Sequence, residues 1–451
     1  MFHKKQVWVP YLLIKCKIMK DSLYNNWVEY KGNYILFNAL SLNFLYLDKA
    51  LVKLYKDNIG NLNKLLNIHP DFYKALRDYG FIVEEDKDEL SCVRSIINTI
   101  NNDRTSFRLI INPTLNCNFH CWYCYESHNG KTKMSKDVQN RIILFLKKIA
   151  QDPQLKFFQL SFFGGEPLLY YSDVVLPIAE YASKIFRKSN KSFFLDLTTN
   201  GYLFNEERLK ELRSLGLSSC QITLDGSKER HNNTRFTTKG SGSYEKIISN
   251  IKNAVKNGID IVLRINYTEE NLKDLFLIFA DFEELTVAER KHLILSMNKV
   301  WQEKNEKLGE QVKKMQAKAK EFGMTLPDAL LADRVRHSCY ADKENEAVIN
   351  YNGKVYKCNA RDFKEDNCEG ILDESGNIQW NDFHQLRKNA KLSNPKCLSC
   401  SILPICGGGC SQISYDNKKC NYCVNTSKEA KNELIISMFL SEHTKNEDSH
   451  A

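Results

Sequence analysis

The sequence predicts an α/β protein centred on an open, partial (β/α)6 barrel, and three observations predict it. From residue 107 onward, strand-like apolar runs alternate with amphipathic helical segments, the pattern of parallel strands joined by crossover helices. Six such strands can be found, too few for a closed eightfold barrel. Cysteine, fifteen in 451 residues, is gathered into one cluster just after the first of these strands and another beyond residue 338.

In chain order, residues 1–95 form a separate first block. Tyr11-Leu12-Leu13-Ile14, Trp27-Val28-Glu29-Tyr30 and Asn33-Tyr34-Ile35-Leu36-Phe37 read as short strands, and Gly80-Phe81-Ile82-Val83 as a later one. Ala50–Tyr55 and Pro70–Leu76 have helical spacing. Helices with a small β-wing predict a winged-helix-like module. Residues 96–103 are a polar linker. The core, 104–298, has its strands at Arg108–Ile111, Gln159–Phe163, Phe194–Thr198, Ser219–Leu224, Ile261–Ile265 and Leu293–Met297, with helices including 135–151, 205–215 and 243–257 between them. Residues 299–338 read as a charged helical bridge, 339–426 as the cysteine-rich domain, and 427–451 as a helix over 427–440 with a polar tail.

Composition narrows the function classes. Hydrophobic residues are 43% and aromatics 11%, ordinary for a chain with a real core. No apolar run approaches the roughly 20 residues that span a bilayer, and the start lacks a signal-peptide core, so a cytoplasmic protein without a membrane partner is expected. The net charge of +9, from 64 basic and 55 acidic residues, is mild for this length. No basic stripe interleaved with aromatics argues for nucleic acid. Cys16, Cys92 and Cys220 are isolated and suit buried structural thiols. The clustered cysteines suit metal better than disulfides in a reducing compartment.

Cys117, Cys121 and Cys124 form C-x3-C-x2-C, with Tyr123 before the last cysteine. Three thiolates on one loop can hold three irons of a [4Fe–4S] cube and leave the fourth open to a substrate or cofactor. Zinc with His120 as a fourth ligand is the alternative. Companion motifs follow in order: Gly164-Gly165-Glu166-Pro167 after the second strand, Thr199-Asn200-Gly201 after the third, Thr223-Leu224-Asp225-Gly226 after the fourth with His231 and Arg235 beyond, and Arg264 and Asn266 on the fifth. Together these resemble the radical S-adenosylmethionine (SAM) superfamily, whose fold is a partial (β/α)6 TIM-like barrel. The resemblance implies that SAM binds the open iron and is cleaved reductively to a 5′-deoxyadenosyl radical, which abstracts hydrogen from a substrate. It implies a SAM-binding role for Gly164, Gly165, Glu166, Pro167 and Asn200, with the carboxylate of Glu166 toward the methionine ammonium. Thr223 and Arg235 would contact the SAM carboxylate or ribose, Tyr123 the adenine, and Arg264 and Asn266 would complete the site.

Beyond residue 338 the order is Cys339, Gly353-x4-Cys358, Cys397-x2-Cys400-x5-Cys406-x3-Cys410, then Cys420 and Cys423. This is similar to the SPASM extension and implies two auxiliary [4Fe–4S] clusters, three clusters in all. The family's topology would give Cys339, Cys358 and Cys410 to the first, and Cys397, Cys400, Cys406 and a late cysteine to the second. Whether Cys420, Cys423 or Cys368 completes the first, or leaves it open, is undecided, and a zinc ribbon is the alternative for Cys397 to Cys410. Enzymes with this pairing mostly modify peptides. The implied partners are a ribosomally made precursor peptide, its leader added as a strand to the N-terminal module, and an external one-electron reductant such as flavodoxin or ferredoxin. The implied product is a thioether or carbon–carbon crosslink; an anaerobic sulfatase-maturating, formylglycine-generating activity is the alternative.

Overall fold

The structure, a computed structural model, describes residues 17–128, 132–305, 307–327, 333–417, 423 and 427–448. The strand expected at Tyr11–Ile14, and Cys16 and Cys420, lie outside these residues. The chain forms two compact units: Met1–Asn98 with Ala332–His337 and Asn389–Ala451, and Thr99–Leu331 with Ser338–Lys388.

In the first unit, β1 (Met19–Asp21) pairs antiparallel with β5 (Ile82–Glu84). Strands β2 (Asn25–Tyr30), β3 (Asn33–Asn38) and β4 (Phe44–Leu47) form an antiparallel sheet in that order. The β2–β3 hairpin closes on Lys31-Gly32, both at positive φ (47° and 81°), the twist a two-residue hairpin turn requires. Helices Lys49–Asp57 and Pro70–Asp78 contribute Tyr55 and Leu76 to a core with Leu36, Leu65 and Phe81. The C-terminal helix Lys428–Asp448 runs past the apolar spacing that predicts it over 427–440. Its Phe439 ring lies 5.6–6.2 Å from those of Tyr30, Phe44 and Tyr46.

The second unit holds a ten-stranded sheet. Strands β6 (Ser106–Ile111), β7 (Phe157–Phe162), β8 (Ser192–Thr199), β9 (Leu217–Leu224), β10 (Asp260–Tyr267) and β11 (Leu293–Lys299) are parallel neighbours in chain order, the partial barrel that the alternation predicts. Leu109, Leu160, Leu195, Ile222, Leu263 and Leu295 are at most 1% exposed on one face of the pleat. Fully burying such a side chain is worth about 1.5–3 kcal/mol. Helices Lys136–Ala150, Leu176–Lys188 and Tyr244–Lys256 bring Ile142, Ala179 and Ile251 to the same core. On the opposite face Gln159 and Ser161 donate to Asp196.

The sheet does not stop at β6. β12 (Glu346–Ile349) pairs parallel with it, and β13 (Lys354–Tyr356), β14 (Gly370–Leu372) and β15 (Ile378–Trp380) follow antiparallel. The first half of the cysteine-rich segment therefore continues the barrel sheet. Among the described residues no helix is long and apolar enough to cross a membrane.

Candidate functional site

The loop after β6 carries the three cysteines. Two sets of hydrogen bonds fix it. On one side the Thr114 hydroxyl donates to the Thr132 carbonyl at 2.6 Å, and Leu115 N–H to the Thr132 hydroxyl at 2.9 Å. On the other, Thr238 N–H donates to the Asn118 carbonyl at 2.9 Å. Phe119 is buried against Tyr202 and anchors the turn between Cys117 and Cys121. Cys117, Cys121 and Cys124 are free thiols, and His120 is exposed.

The glycines of Gly164-Gly165-Glu166-Pro167 let that turn lie directly beneath the loop. A Cβ at Gly165 would sit 2.2 Å from the Asn116 carbonyl oxygen, and Gly164, at φ +87°, has the Thr114 carbonyl 2.5 Å from the corresponding point. Glu166 is fully buried, but its carboxylate faces protein. It accepts from the Thr199 hydroxyl (2.8 and 2.9 Å), Asn200 N–H (2.7 Å) and Leu168 N–H (3.0 Å). It thus ties the ends of β7 and β8 together, where the sequence pattern points it at an ammonium group. Pro167 opens the short helical turn that follows. Asn200 reaches the cysteine loop itself, donating to Asn118 Oδ1 at 2.7 Å and approaching Cys117 Sγ at 3.8 Å.

Tyr123 of the cysteine loop joins two buried charged side chains in a triad. The Tyr123 hydroxyl donates to Asp225 Oδ2 at 2.5 Å and accepts from Arg235 Nη1 at 2.7 Å, while Arg235 and Asp225 stand 3.9 Å apart. Arg235 is 7% and Asp225 3% exposed, and among the described residues Arg235 Nε and Asp225 Oδ1 meet no hydrogen-bond partner. Beside them is a cavity of about 220 Å³ lined by Trp122, Tyr123, Asp225, Asn266, Thr268 and Asn271. Arg264 on β10 donates to Asn266 Oδ1 at 2.9 Å and is the register partner of Thr223, which is nearly buried. Thr223, Asp225, Arg264 and Asn266 thus meet at the carboxyl ends of β9 and β10, where parallel barrels place active sites. Asp225 stands in the sequence within the Thr223-Leu224-Asp225-Gly226 motif but without a role of its own.

The donor chemistry fits an iron–sulfur cluster. Burial, and next the Glu166 carboxylate, pushes the Cys117 thiol up to about 12, opposed by Phe119 N–H and by Arg235. Burial also raises Cys121 and Cys124; Arg235 opposes both, and Glu126 N–H opposes at Cys124. One guanidinium therefore acts on all three sulfurs, and backbone N–H groups face two of them. These groups offset only part of the burial that holds all three thiols above their ordinary range, so the thiolates would form as iron displaces the protons. Among the described residues no three His, Cys, Asp or Glu side chains converge closely enough to hold one metal ion. A cluster takes one thiolate per iron, so its ligands need not meet at a point.

Of the later cysteines, the first unit groups Cys397, Cys400, Cys406 and Cys423. Burial raises the Cys397 thiol most, then Cys406, Cys400 and Cys423, with Lys431 opposing. Lys431 Nζ lies 3.6 Å from Cys400 Sγ. Cys410 caps the helix Ser411–Asp416 in the same unit. In the second unit burial, and then Cys358 and Cys339, raise the phenol of Tyr340. Their surroundings are pinned by a buried ionic network. Glu369 accepts from Lys357 N–H, His384 and Arg387, and Arg387 also donates to the Ala341 carbonyl. Cys368 instead points its sulfur at the Gly370 carbonyl, 3.2 Å away.

A parallel partial barrel with three thiols on its first loop, a glycine-rich turn beneath them and a Tyr–Asp–Arg triad linking that loop to the end of β9 defines an α/β barrel protein with a cysteine-bearing site at the carboxyl ends of its strands. Residues 111–279 match the Radical SAM superfamily, so the chain carries a radical SAM domain, which implies SAM and one [4Fe–4S] cluster. The chain is 28% identical over 181 residues to the Fe-coproporphyrin III synthase of Methanosarcina barkeri (39% of this chain, 41% of that one). It is 29% identical over 151 residues to the cysteine-type anaerobic sulfatase-maturating enzyme of Clostridium novyi (33% and 40%). It is also 25% identical over 159 residues to the sporulation killing factor maturation protein SkfB of Bacillus subtilis (35% of each). The chain thus spans about two fifths or less of the length of these curated relatives. The fold is shared with anSMEcpe bound to AdoMet (TM-score 0.56, 18% identity, 76% of this chain and all of that one) and with Streptococcus suis SuiB (0.51, 15%, 90% and 99%).

Proposed function

We propose that the chain is a radical SAM/SPASM peptide maturase that abstracts hydrogen from a ribosomally made precursor peptide and installs a thioether or carbon–carbon crosslink. The observation that carries this reading is the pairing of two cysteine groups: Cys117, Cys121 and Cys124 in the field of Arg235, and Cys397, Cys400, Cys406 and Cys423 with Lys431. Among the described residues three thiols belong to the first group, which would leave one iron of a cube open. SAM bound beside a reduced cluster would supply hydrogen abstraction from an unactivated C–H bond.

The chain's own residues hold and orient. Cys117, Cys121 and Cys124 would ligate the catalytic cluster. Glu166 and Asn200 brace their loop, Tyr123, Asp225 and Asn266 line the cavity that would take SAM, with Arg235, Arg264 and Thr223 behind them, and Gly164, Gly165 and Pro167 form the turn beneath the cysteine loop. Asp225 Oδ1, buried with no partner among the described residues, would accept from a hydroxyl or amine of the cofactor. Cys397, Cys400, Cys406 and Cys423 would ligate one auxiliary cluster, and Cys339 and Cys358 would serve the other. The antiparallel sheet β2–β4 would receive the leader as an added strand, and flavodoxin or ferredoxin would supply the electron.

The test is metal content and cofactor cleavage without oxygen. Wild-type protein is expected to hold about twelve irons, and Cys117→Ala/Cys121→Ala/Cys124→Ala about eight with no 5′-deoxyadenosine formed. Wild-type cleavage by the triple variant would sink the reading. The relative from Clostridium novyi favours a second reading, oxidation of a cysteine to formylglycine. A sulfatase-derived Cys peptide lacking any leader is a substrate under that reading alone.

A further inference from the structure

The catalytic cysteine loop is tied to the segment carrying Cys358 by side chains outside both cysteine motifs. Tyr125, next after Cys124, donates its hydroxyl to the Asn359 carbonyl at 2.6 Å. Ser127 donates twice to Asp362: its N–H to Oδ1 at 3.0 Å and its hydroxyl to Oδ2. The Asn359 side chain in turn accepts from Tyr340, the residue after Cys339. Positions one and three beyond the last catalytic cysteine therefore grip positions one and four beyond Cys358, and the same junction reaches Cys339. The Asp362 side chain is 15% exposed, so these charge-assisted bonds are shielded from water. Trp301 stacks on the Tyr125 ring at 5.3 Å and covers it from solvent.

We propose that Tyr125, Ser127 and Asp362 are positioning residues: a hydrogen-bond clamp that fixes the catalytic cluster of Cys117, Cys121 and Cys124 at one separation from the auxiliary cluster held by Cys339 and Cys358. The inference rests on the reading of both sites as cluster sites. Magnetic coupling and electron exchange between clusters fall steeply with separation, so a fixed spacing sets both. Loss of the clamp leaves every sulfur ligand in place and frees the loop to move relative to its neighbour.

The experiment uses the full chain, reconstituted and reduced with dithionite, and reads EPR power saturation. The catalytic signal is the one absent from Cys117→Ala/Cys121→Ala/Cys124→Ala. In the wild type a nearby paramagnetic cluster speeds its relaxation, and Cys339→Ala/Cys358→Ala should slow it. Tyr125→Phe/Ser127→Ala is expected to keep wild-type iron and sulfide while its half-saturation power falls several-fold; Ser127→Thr, which keeps both donors, should hold the wild-type value. Wild-type saturation in the double variant overturns the clamp. Should that variant fail to load iron, Asp362→Asn, of the same shape with one accepting oxygen, decides by the same readout. A catalytic signal indifferent to Cys339→Ala/Cys358→Ala overturns the clamp for another reason, because then no auxiliary cluster neighbours the loop and the reading of that site falls with it.

Discussion

His231 is bonded at both ring nitrogens, and those bonds fix its charge. Nδ1 accepts from Asp225 N–H at 3.4 Å, and Nε2 faces the Ser243 hydroxyl at 3.0 Å, which itself donates to the Arg235 carbonyl. A proton on Nδ1 would set two donors against each other. The ring is fully buried, and burial, then the Arg235 charge, holds it neutral, its affinity for a proton well below the ordinary value. The unfolded chain takes up that proton near pH 6.5 while the folded chain does not, so stability should fall as pH drops below about 6.5, by up to about 1.4 kcal/mol per unit. Denaturant unfolding from pH 8 to 5 measures it, with His231→Gln expected to show a slope shallower by about one proton. An equal slope in both would mean that the ring titrates in the fold. At this scale the sequence exposes residues that belong to spaced motifs, as Cys117, Cys121 and Cys124 do. It hides Ser127 and Asp362, whose meaning depends on each other across 235 positions.

The barrel strands were legible because burial alternates along them, one face packed on helices and the other polar. β12 was not, since Glu346-Ala347-Val348-Ile349 is too short to show a period, and only its pairing with Arg108–Ile111 makes it part of the sheet. The Gly164–Pro167 turn shows how two elements cooperate. Its fit against residues 114–116 leaves no room for a methyl group at position 165, where the obstacle is backbone. Gly165→Ala must therefore push the cysteine loop away, an overpacking cost of about 1–3 kcal/mol. We expect catalytic-cluster iron to drop and 5′-deoxyadenosine formation to fall at least tenfold, since small misplacements near reacting groups are amplified in rate. Gly60→Ala, with nothing within 4 Å of the added carbon, is the matched control and should leave both unchanged. Parallel losses in the two variants would show that the turn does not brace the loop.

Across the whole molecule, the cysteine-rich segment read as one domain in sequence is divided: Cys339 and Cys358 fall in the unit of the barrel sheet, and Cys397, Cys400, Cys406 and Cys410 in the unit of the N-terminal sheet. Within that N-terminal unit the links are specific. Asn26 on β2 accepts from the Ser401 hydroxyl at 2.5 Å and donates to the Ser401 carbonyl at 3.2 Å, between Cys400 and Cys406. The helix that places Lys431 beside Cys400 also places Phe439 against Tyr30, Phe44 and Tyr46. Arg336 donates to the Leu40 carbonyl at 3.4 Å, and nearby Arg334 opposes the rise of the Cys406 thiol. Removing residues 1–98 strips the sheet from under this group while leaving the sheet β6–β15 complete. The truncated protein should therefore lose about four irons of the reconstituted total yet still form 5′-deoxyadenosine within a few-fold of wild type. Full iron after the deletion would mean that the late cysteines hold their cluster without the N-terminal sheet. A matching loss of cofactor cleavage would mean that the N-terminal unit supports the catalytic cluster as well.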